Sequence, residues 1–258
     1  MEDLVKPTEF PLRAVTLSVV VPVYNERESL EILDEELETT LKSLNLSYEV
    51  IYVDDASTDG SLELLLEIAR RRSNRRVVHH LRNAGQSAAL VTGFRRARGA
   101  LVATLDSDLQ NDPADLPRLL AKIEEGYDVV SGVRSVRRDN WSRRISSQIA
   151  NAIRNWATQD RITDVGCSLK IYRREYLQDL PFFSGMHRFL PTLARWNGAR
   201  RIAEVEVAHR PRRFGQAKYG IGNRMFRALA DLLGVLWLRK RFIPPDNVRD
   251  LTDSSTTR

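Results

Sequence analysis

A single cysteine, Cys167, stands among 258 residues, so a disulfide within the chain is excluded and a reducing, cytoplasmic setting is expected. No run reaches the ~18–20 apolar residues that cross a bilayer. The best stretch, Ala228 to Leu238, is shorter and is interrupted by Asp231. The first residues carry Glu2 and Asp3 and no apolar core, and do not read as a secretory signal. Neither G-x-G-x-x-G nor G-x-x-x-x-G-K-[ST] occurs, which argues against a dinucleotide dehydrogenase and a P-loop nucleotidase. Four histidines, His79, His80, His187 and His209, share no metal-ligand spacing and read as structural or surface groups. Cys167 has no assignable histidine base and reads as buried rather than nucleophilic.

Charge is present, and it is uneven. The net formal charge is +6, which favours a polyanionic partner such as a phosphorylated substrate, an anionic lipid or nucleic acid. Residues 134–174 hold ten Lys/Arg against three Asp/Glu, so the positive excess falls in the second half of the chain. A second substrate or a membrane surface would be met there.

The hydrophobic pattern then orders the chain. Thr16 to Val23 is a β-branched apolar run that reads as a buried parallel strand. Leu30, Leu33, Leu37, Leu41 and Leu44 mark a helix over Glu28 to Leu44. Strands follow at Glu49 to Val53, Val77 to Leu81, Leu101 to Leu105 and Asp128 to Val133. Helices lie between them at Ser61 to Arg72, Gln86 to Arg98 and Pro113 to Glu125. This alternation predicts an α/β fold with a doubly wound, Rossmann-like, mostly parallel sheet. Later, Arg143 to Thr158 reads as a basic amphipathic helix, Arg201 to Val207 as a strand and Arg224 to Arg241 as a final helix. One domain over 1–243 is expected, with halves at 16–134 and 135–243 and a flexible tail from 244.

In doubly wound sheets ligands bind beyond the carboxyl ends of the strands. Polar clusters sit at four such ends: Asn25-Glu26, Asp54-Asp55, Asn83 and Asp106-Ser107-Asp108. The triplet is the sharpest. Two carboxylates one residue apart can converge on a divalent cation, with oxygen ligands suited to Mg²⁺ or Mn²⁺. Its plainer reading is a polar loop with a helix cap. Asp54 and Asp55 would accept hydrogen bonds from a base or ribose, or would only build a turn. Pro22, Tyr24 and Glu26 have the same two readings. Arg212, Arg213 and Lys218, in a glycine-containing stretch, suit a diphosphate or form a solvated loop. Arg134 also carries both readings.

Four segments occur in order: Ser18-Val-Val-Val-Pro-Val-Tyr-Asn-Glu26, Val53-Asp-Asp-Ala-Ser-Thr-Asp-Gly-Ser61, Arg82-Asn-Ala-Gly-Gln86 and Leu105-Asp-Ser-Asp-Leu-Gln-Asn-Asp-Pro113. Together they resemble glycosyltransferase family 2, with the GT-A fold. Asp164-Val-Gly-Cys-Ser-Leu-Lys170 and Arg212-Arg-Phe-Gly-Gln-Ala-Lys-Tyr-Gly220 narrow the resemblance to its polyprenyl-phosphate branch. That branch includes dolichol-phosphate mannose synthase and the undecaprenyl-phosphate aminoarabinose-type transferases. The resemblance covers residues 16–240.

The resemblance implies roles. Pro22, Tyr24, Glu26 and Asp54 would line a nucleoside pocket, with Asp55 nearby. Asp106 and Asp108 would hold Mg²⁺ or Mn²⁺ on a nucleotide-sugar, with Gln110 beside them. Arg212 and Lys218 would contact the diphosphate. Arg134, Arg143 and Ser147 would bind the phosphate of a polyprenyl-phosphate acceptor, and Asp164 would face the sugar. Catalysis would fall to Asp108, Asp164, Arg212 and Lys218, in an inverting, metal-dependent transfer. Many relatives carry transmembrane helices after this domain; here the basic helix from Arg143 and Ala228 to Leu238 would touch an anionic membrane from the cytoplasmic face instead. Two rival readings remain: a transferase acting on a sugar hydroxyl in polysaccharide or lipopolysaccharide assembly, and a non-catalytic basic protein. Nucleic acid is not an expected partner.

Overall fold

The computed structural model describes residues 15–134, 162–214 and 231–242. The first half alternates β1 (Leu17–Val23), α1 (Arg27–Ser43), β2 (Tyr48–Asp54), α2 (Ser61–Arg71), β3 (Arg75–His79), α3 (Gln86–Arg96) and β4 (Leu101–Thr104). A 3₁₀ turn at Pro113–Asp115 leads into α4 (Leu116–Glu124) and β5 (Val129–Arg134). The second half adds β6 (Lys170–Arg173), 3₁₀ turns at Arg174–Leu177 and Met186–Phe189, α5 (Leu190–Trp196) and β7 (Ile202–Val207). Residues 231–239 are helical. None of the described helices is long and apolar enough to cross a membrane.

The strands join one seven-stranded sheet in the order β3-β2-β1-β4-β6-β5-β7. The pairs β1–β2, β1–β4, β2–β3 and β5–β7 are parallel, whereas β6 runs antiparallel to both β4 and β5. The expected mostly parallel α/β sheet is therefore present, with strands from the second half built into it.

Alternating side chains divide the core into two layers. Val19, Val21 and Val23 of β1 and Val50 and Tyr52 of β2 pack with Leu30, Leu33, Leu37 and Leu41 of α1. Val20 of β1 and Ile51 and Val53 of β2 face the other way, onto Ala89 and Phe94 of α3. Leu193 of α5 joins this second layer, as do Leu232 and Val235. Burial on both faces is what makes β1 a continuous apolar run. The α3 helix sits very close to β1, since a Cβ on Gly93 would lie 2.2 Å from Val20 Cγ1.

Three elements depart from the sequence expectation. The strand expected at Val77 to Leu81 begins at Arg75 and ends at His79. Arg75 looks like a charged flank but is buried in the strand, its Nε 2.6 Å from Asp34 Oδ1. The Tyr52 hydroxyl donates to the same carboxylate oxygen at 2.7 Å, so one buried network ties α1 to β2 and β3. The strand β6 and the helix α5 were not expected. Each is short, and β6 spans only four residues, too few for a readable period.

Candidate active site

The loops after β1, β2 and β4 meet at the carboxyl end of the sheet. Asn25, at φ 52°, takes the left-handed conformation that asparagine tolerates. Its Oδ1 accepts from Thr58 N at 2.8 Å, and its own N–H donates to Ser57 Oγ at 2.9 Å. Glu26 N donates to Ser61 Oγ at 3.1 Å. The turn-rich Ser57 to Ser61 stretch thus fastens the Glu26 loop to the end of β2. Ser29 Oγ at the start of α1 donates to Ser107 O at 2.6 Å, which clamps the acidic triplet. Directly after it, fully buried Leu109 is held at φ 61°, a conformation that costs a bulky side chain about 1–2 kcal/mol.

These loops enclose a cavity of about 630 Å³. Pro22, Tyr24, Glu26 and Asp55 line one part of it, and Asp106, Asp108 and Gln110 another. Arg134 and Arg212 complete it. Nine of the sequence-selected residues therefore share one cavity. Asp54 does not line it. That side chain is fully buried and bonded to His79 Nδ1 at 2.8 Å, while its Oδ1 has no hydrogen-bond partner. Asp55 forms the wall instead, because β2 ends at Asp54 and the chain turns there. Asp55 accepts from His80 Nδ1, Ala84 N and Gly85 N at 2.7–2.9 Å and so also shapes the loop before α3. Arg143, Ser147 and Lys218 lie outside the described residues.

The triplet sets two like-charged carboxylates close together. Burial, then the nearby Asp108 carboxylate, push Asp106 up to about 6, while bonds from Ser168 and Gln86 and the charge of Lys170 pull the other way. Gln86 Nε2 donates to Asp106 Oδ1 at 2.8 Å. Arg212 Nη2 donates to Asp108 Oδ2 at 2.7 Å, and its Nη1 to Glu26 Oε1 at 3.3 Å. This guanidinium ties its own segment to Asp108, 104 residues earlier, and to Glu26, 186 residues earlier. Its segment is anchored by Arg210 N to Gln110 O at 2.8 Å and by Arg210 to Glu36 at 2.7 Å. Two carboxylates one residue apart, with oxygen donors only, fit a hard divalent cation completed by diphosphate oxygens.

Asp164 corrects an expectation. It does not line the cavity; its two oxygens grip Arg134, from Nε at 2.7 Å and Nη2 at 2.8 Å. It also accepts from Arg134 N and Gly166 N. A carboxylate buried to 2 % exposure and filled with donors is placed to hold Arg134. Gly166 permits the pairing, since a Cβ there would meet Arg134 Nη2 at 2.8 Å. Cys167 is buried and burial raises its thiol, in keeping with an inert core residue.

A second cavity of about 900 Å³ adjoins the first. The two share Gly85, Gln86, Asp106 and Gly166 as common wall. Lys170 and His187 line the second one, with Ser87, Arg188 and Asp231. His187 was read from sequence as structural or surface. No local signal marks it, because its partner Ser87 lies 100 residues earlier. Gln86, by contrast, had a readable place just after Asn83-Ala-Gly85, at the start of α3.

Comparison with known proteins agrees with this geometry. Residues 18–181 match the model of glycosyl transferase family 2. The chain is 43% identical over 221 residues to an undecaprenyl-phosphate 4-deoxy-4-formamido-L-arabinose transferase of Proteus mirabilis (strain HI4320), covering 85% of this chain and 67% of the relative. A transferase of the same description from Serratia proteamaculans (strain 568) is 41% identical over 227 residues, with 88% and 68% covered. Among solved structures, Mycobacterium tuberculosis glucosyl-3-phosphoglycerate synthase superposes with a TM-score of 0.64 at 22% identity, covering 90% of this chain and 82% of that one. Its complex with Mn²⁺, uridine diphosphate and glucosyl-3-phosphoglycerate gives 0.63 at 21%, with 90% and 82% covered. At these identities the structural likeness speaks for the fold.

Proposed function

Because the chain belongs to glycosyl transferase family 2, we propose that it moves a sugar from a nucleoside-diphosphate donor to a polyprenyl phosphate, with inversion at the anomeric carbon. The observation that carries this reading is the Asp106/Asp108 pair: Asp108 is bridged through Arg212 to Glu26 in one cavity, and Asp106 lines both that cavity and the second. A nucleotide on one side of the triplet and its sugar on the other match that layout. Uridine diphosphate is the first nucleotide to test, because it occupies the solved relative.

Pro22, Tyr24, Glu26 and Asp55 would hold the nucleoside, and Asp106 and Asp108 would hold Mg²⁺ or Mn²⁺ against the diphosphate, with Gln110 beside them. The cation would supply Lewis-acid stabilisation of the departing diphosphate. Arg212, with Lys218 from the same segment, adds donors where negative charge develops. Arg134, with Arg143 and Ser147 as the family resemblance implies, would bind the acceptor phosphate. An anionic phosphate oxygen attacks the anomeric carbon, the bond to the diphosphate breaks, and its electron pair leaves with the nucleotide. No proton has to move. This agrees with Asp164 being occupied by Arg134, and it favours a phosphate over a sugar hydroxyl, which would need a base.

The direct test offers labelled nucleotide-sugars to the protein with undecaprenyl phosphate. The expected product partitions into organic solvent and is labile to mild acid. A product formed only on a soluble sugar hydroxyl refutes the proposal. Asp164→Asn provides a second test. It weakens one arm of the grip on Arg134, so KM for the lipid phosphate rises about ten-fold while KM for the donor is unchanged. A loss confined to kcat, with a missing basic limb in the pH profile, would instead make Asp164 a base.

The same reading places the chain against an anionic membrane surface. Leu233 and Trp237 are 60% and 59% exposed on the helix whose other side buries Leu232 and Val235. Arg239, Lys240 and Arg241 follow, and Arg241 lies 4.6 Å over the Trp237 ring. An aromatic beside cations suits the headgroup layer. Replacing both Leu233 and Trp237 by alanine is expected to weaken co-sedimentation with anionic vesicles by about ten-fold. Unchanged sedimentation excludes this contact.

A further inference from the structure

We propose that His187, which lines the 900 Å³ cavity and is held at Nδ1 by Ser87, is a specificity-determining contact for the transferred sugar, selecting an uncharged hydrogen-bond-accepting substituent over an ammonium. The inference rests on the glycosyl-transfer reading above and adds to it the residue that reads the sugar.

Three observations lead to it. The first is position. The cavity begins at Asp106, where the donor diphosphate would be held, and extends away from the nucleoside side into a space bounded by α3, the 165–170 segment and the 184–190 segment. A sugar leaving the diphosphate on that side enters this space. The second is the tautomer. Ser87 Oγ accepts from Gly185 N at 3.1 Å and from His187 N at 3.4 Å, so both its lone pairs are engaged. Its remaining hydrogen therefore points to His187 Nδ1, 2.9 Å away. Nδ1 is then the acceptor, and the ring proton resides on Nε2. Among the described residues no group bonds to that Nε2, which leaves it to a ligand.

The third observation is charge. Burial, then Arg188 and Lys170, push His187 down to about 4, so the ring is neutral at pH 7. Arg188 is itself paired with Asp231 at 3.1 Å. Lys170 Nζ is spent on the backbone oxygens of Cys167 and Val165 but keeps its charge in the cavity wall. With a divalent cation on Asp106 and Asp231 paired to Arg188, the described residues of the wall leave no unpaired anion for an ammonium. A hydroxyl or amide oxygen, in contrast, finds an N–H donor held in place. Leaving that donor unpaired would penalise a sugar that lacks the acceptor.

The experiment uses the full chain with Mn²⁺. Binding of UDP is measured by calorimetry, and transfer kinetics are measured with UDP-glucose, a UDP-linked 4-formamido pentose and its 4-amino counterpart. His187→Phe is expected to lower kcat/KM for the preferred uncharged donor by about 30-fold while UDP affinity stays within about two-fold. His187→Gln, which keeps an N–H, recovers most of the loss. Ser87→Ala frees the ring and gives an intermediate loss. His187→Asp shifts preference toward the amino donor. The proposal is overturned if His187→Phe leaves donor selectivity unchanged, or if UDP binding falls as much as transfer, which marks a structural role. If the wild type binds neither UDP nor GDP, the glycosyl-transfer reading fails, and this inference with it.

Discussion

Asp106→Asn will make the metal-free protein more stable at pH 7.5 and will abolish transfer. The Asp106 carboxyl is pushed up to about 6 in the folded chain, from an ordinary value of 3.8. Between those values the folded protein holds a proton that the unfolded chain has lost. Stability from this group is therefore complete below about 4 and is lost as pH rises through about 6. Above that, the ionised carboxylate beside Asp108 costs the apo protein about 1–3 kcal/mol. Asparagine removes the charge and still offers Gln86 an acceptor oxygen. In chelator at pH 7.5 the variant should melt about 3–8 °C above wild type. Adding Mn²⁺ should raise wild type and leave the variant unmoved. The variant's kcat/KM should fall by about 10³-fold or more. For wild type, Mn²⁺ affinity should drop as pH falls below about 6, with close to one proton released per cation bound. A variant less stable than wild type in chelator contradicts the argument.

Arg212→Ala should have two effects of opposite sign. In the ligand-free chain, Arg212 neutralises Asp108 and Glu26, so it competes with any cation for the triplet. Removing it should tighten Mn²⁺ binding in the absence of nucleotide. Catalysis should nevertheless fall by about 10²-fold, because the same guanidinium is needed on the leaving diphosphate. Arg212→Lys restores charge but not the fork, and should recover only part of the rate. Calorimetry without nucleotide and steady-state kinetics with donor read the two effects separately. If the variant turns over like wild type, Arg212 is only a structural counter-ion for Asp108.

Both predictions draw on features that the sequence displays unequally. The apolar run of β1 and the leucine stripe of α1 can be seen locally, because a buried parallel strand and a half-buried helix each impose a period on adjacent residues. The acidic triplet, Glu26 and Asp55 could be placed at one edge of the sheet for the same reason: a parallel α/β order brings strand ends together. Short pieces escaped. Antiparallel β6 has four residues, and its pairing partners β4 and β5 are set by the fold and not by its own composition.

What the sequence by itself determined is the α/β order, the parallel core and the set of polar residues at the strand ends, since these follow from periods and turn chemistry acting over a few residues. Tertiary structure alone decided how those polar residues are used. It gave Asp164 to Arg134 across 30 residues, Arg212 to Asp108 across 104 and Ser87 to His187 across 100. It also put Asp54 inside the wall and Asp55 on the cavity. The physical reason is that a charge or hydrogen-bond donor takes its meaning from whatever partner lies within about 3 Å. Only the folded path of the chain sets that partner.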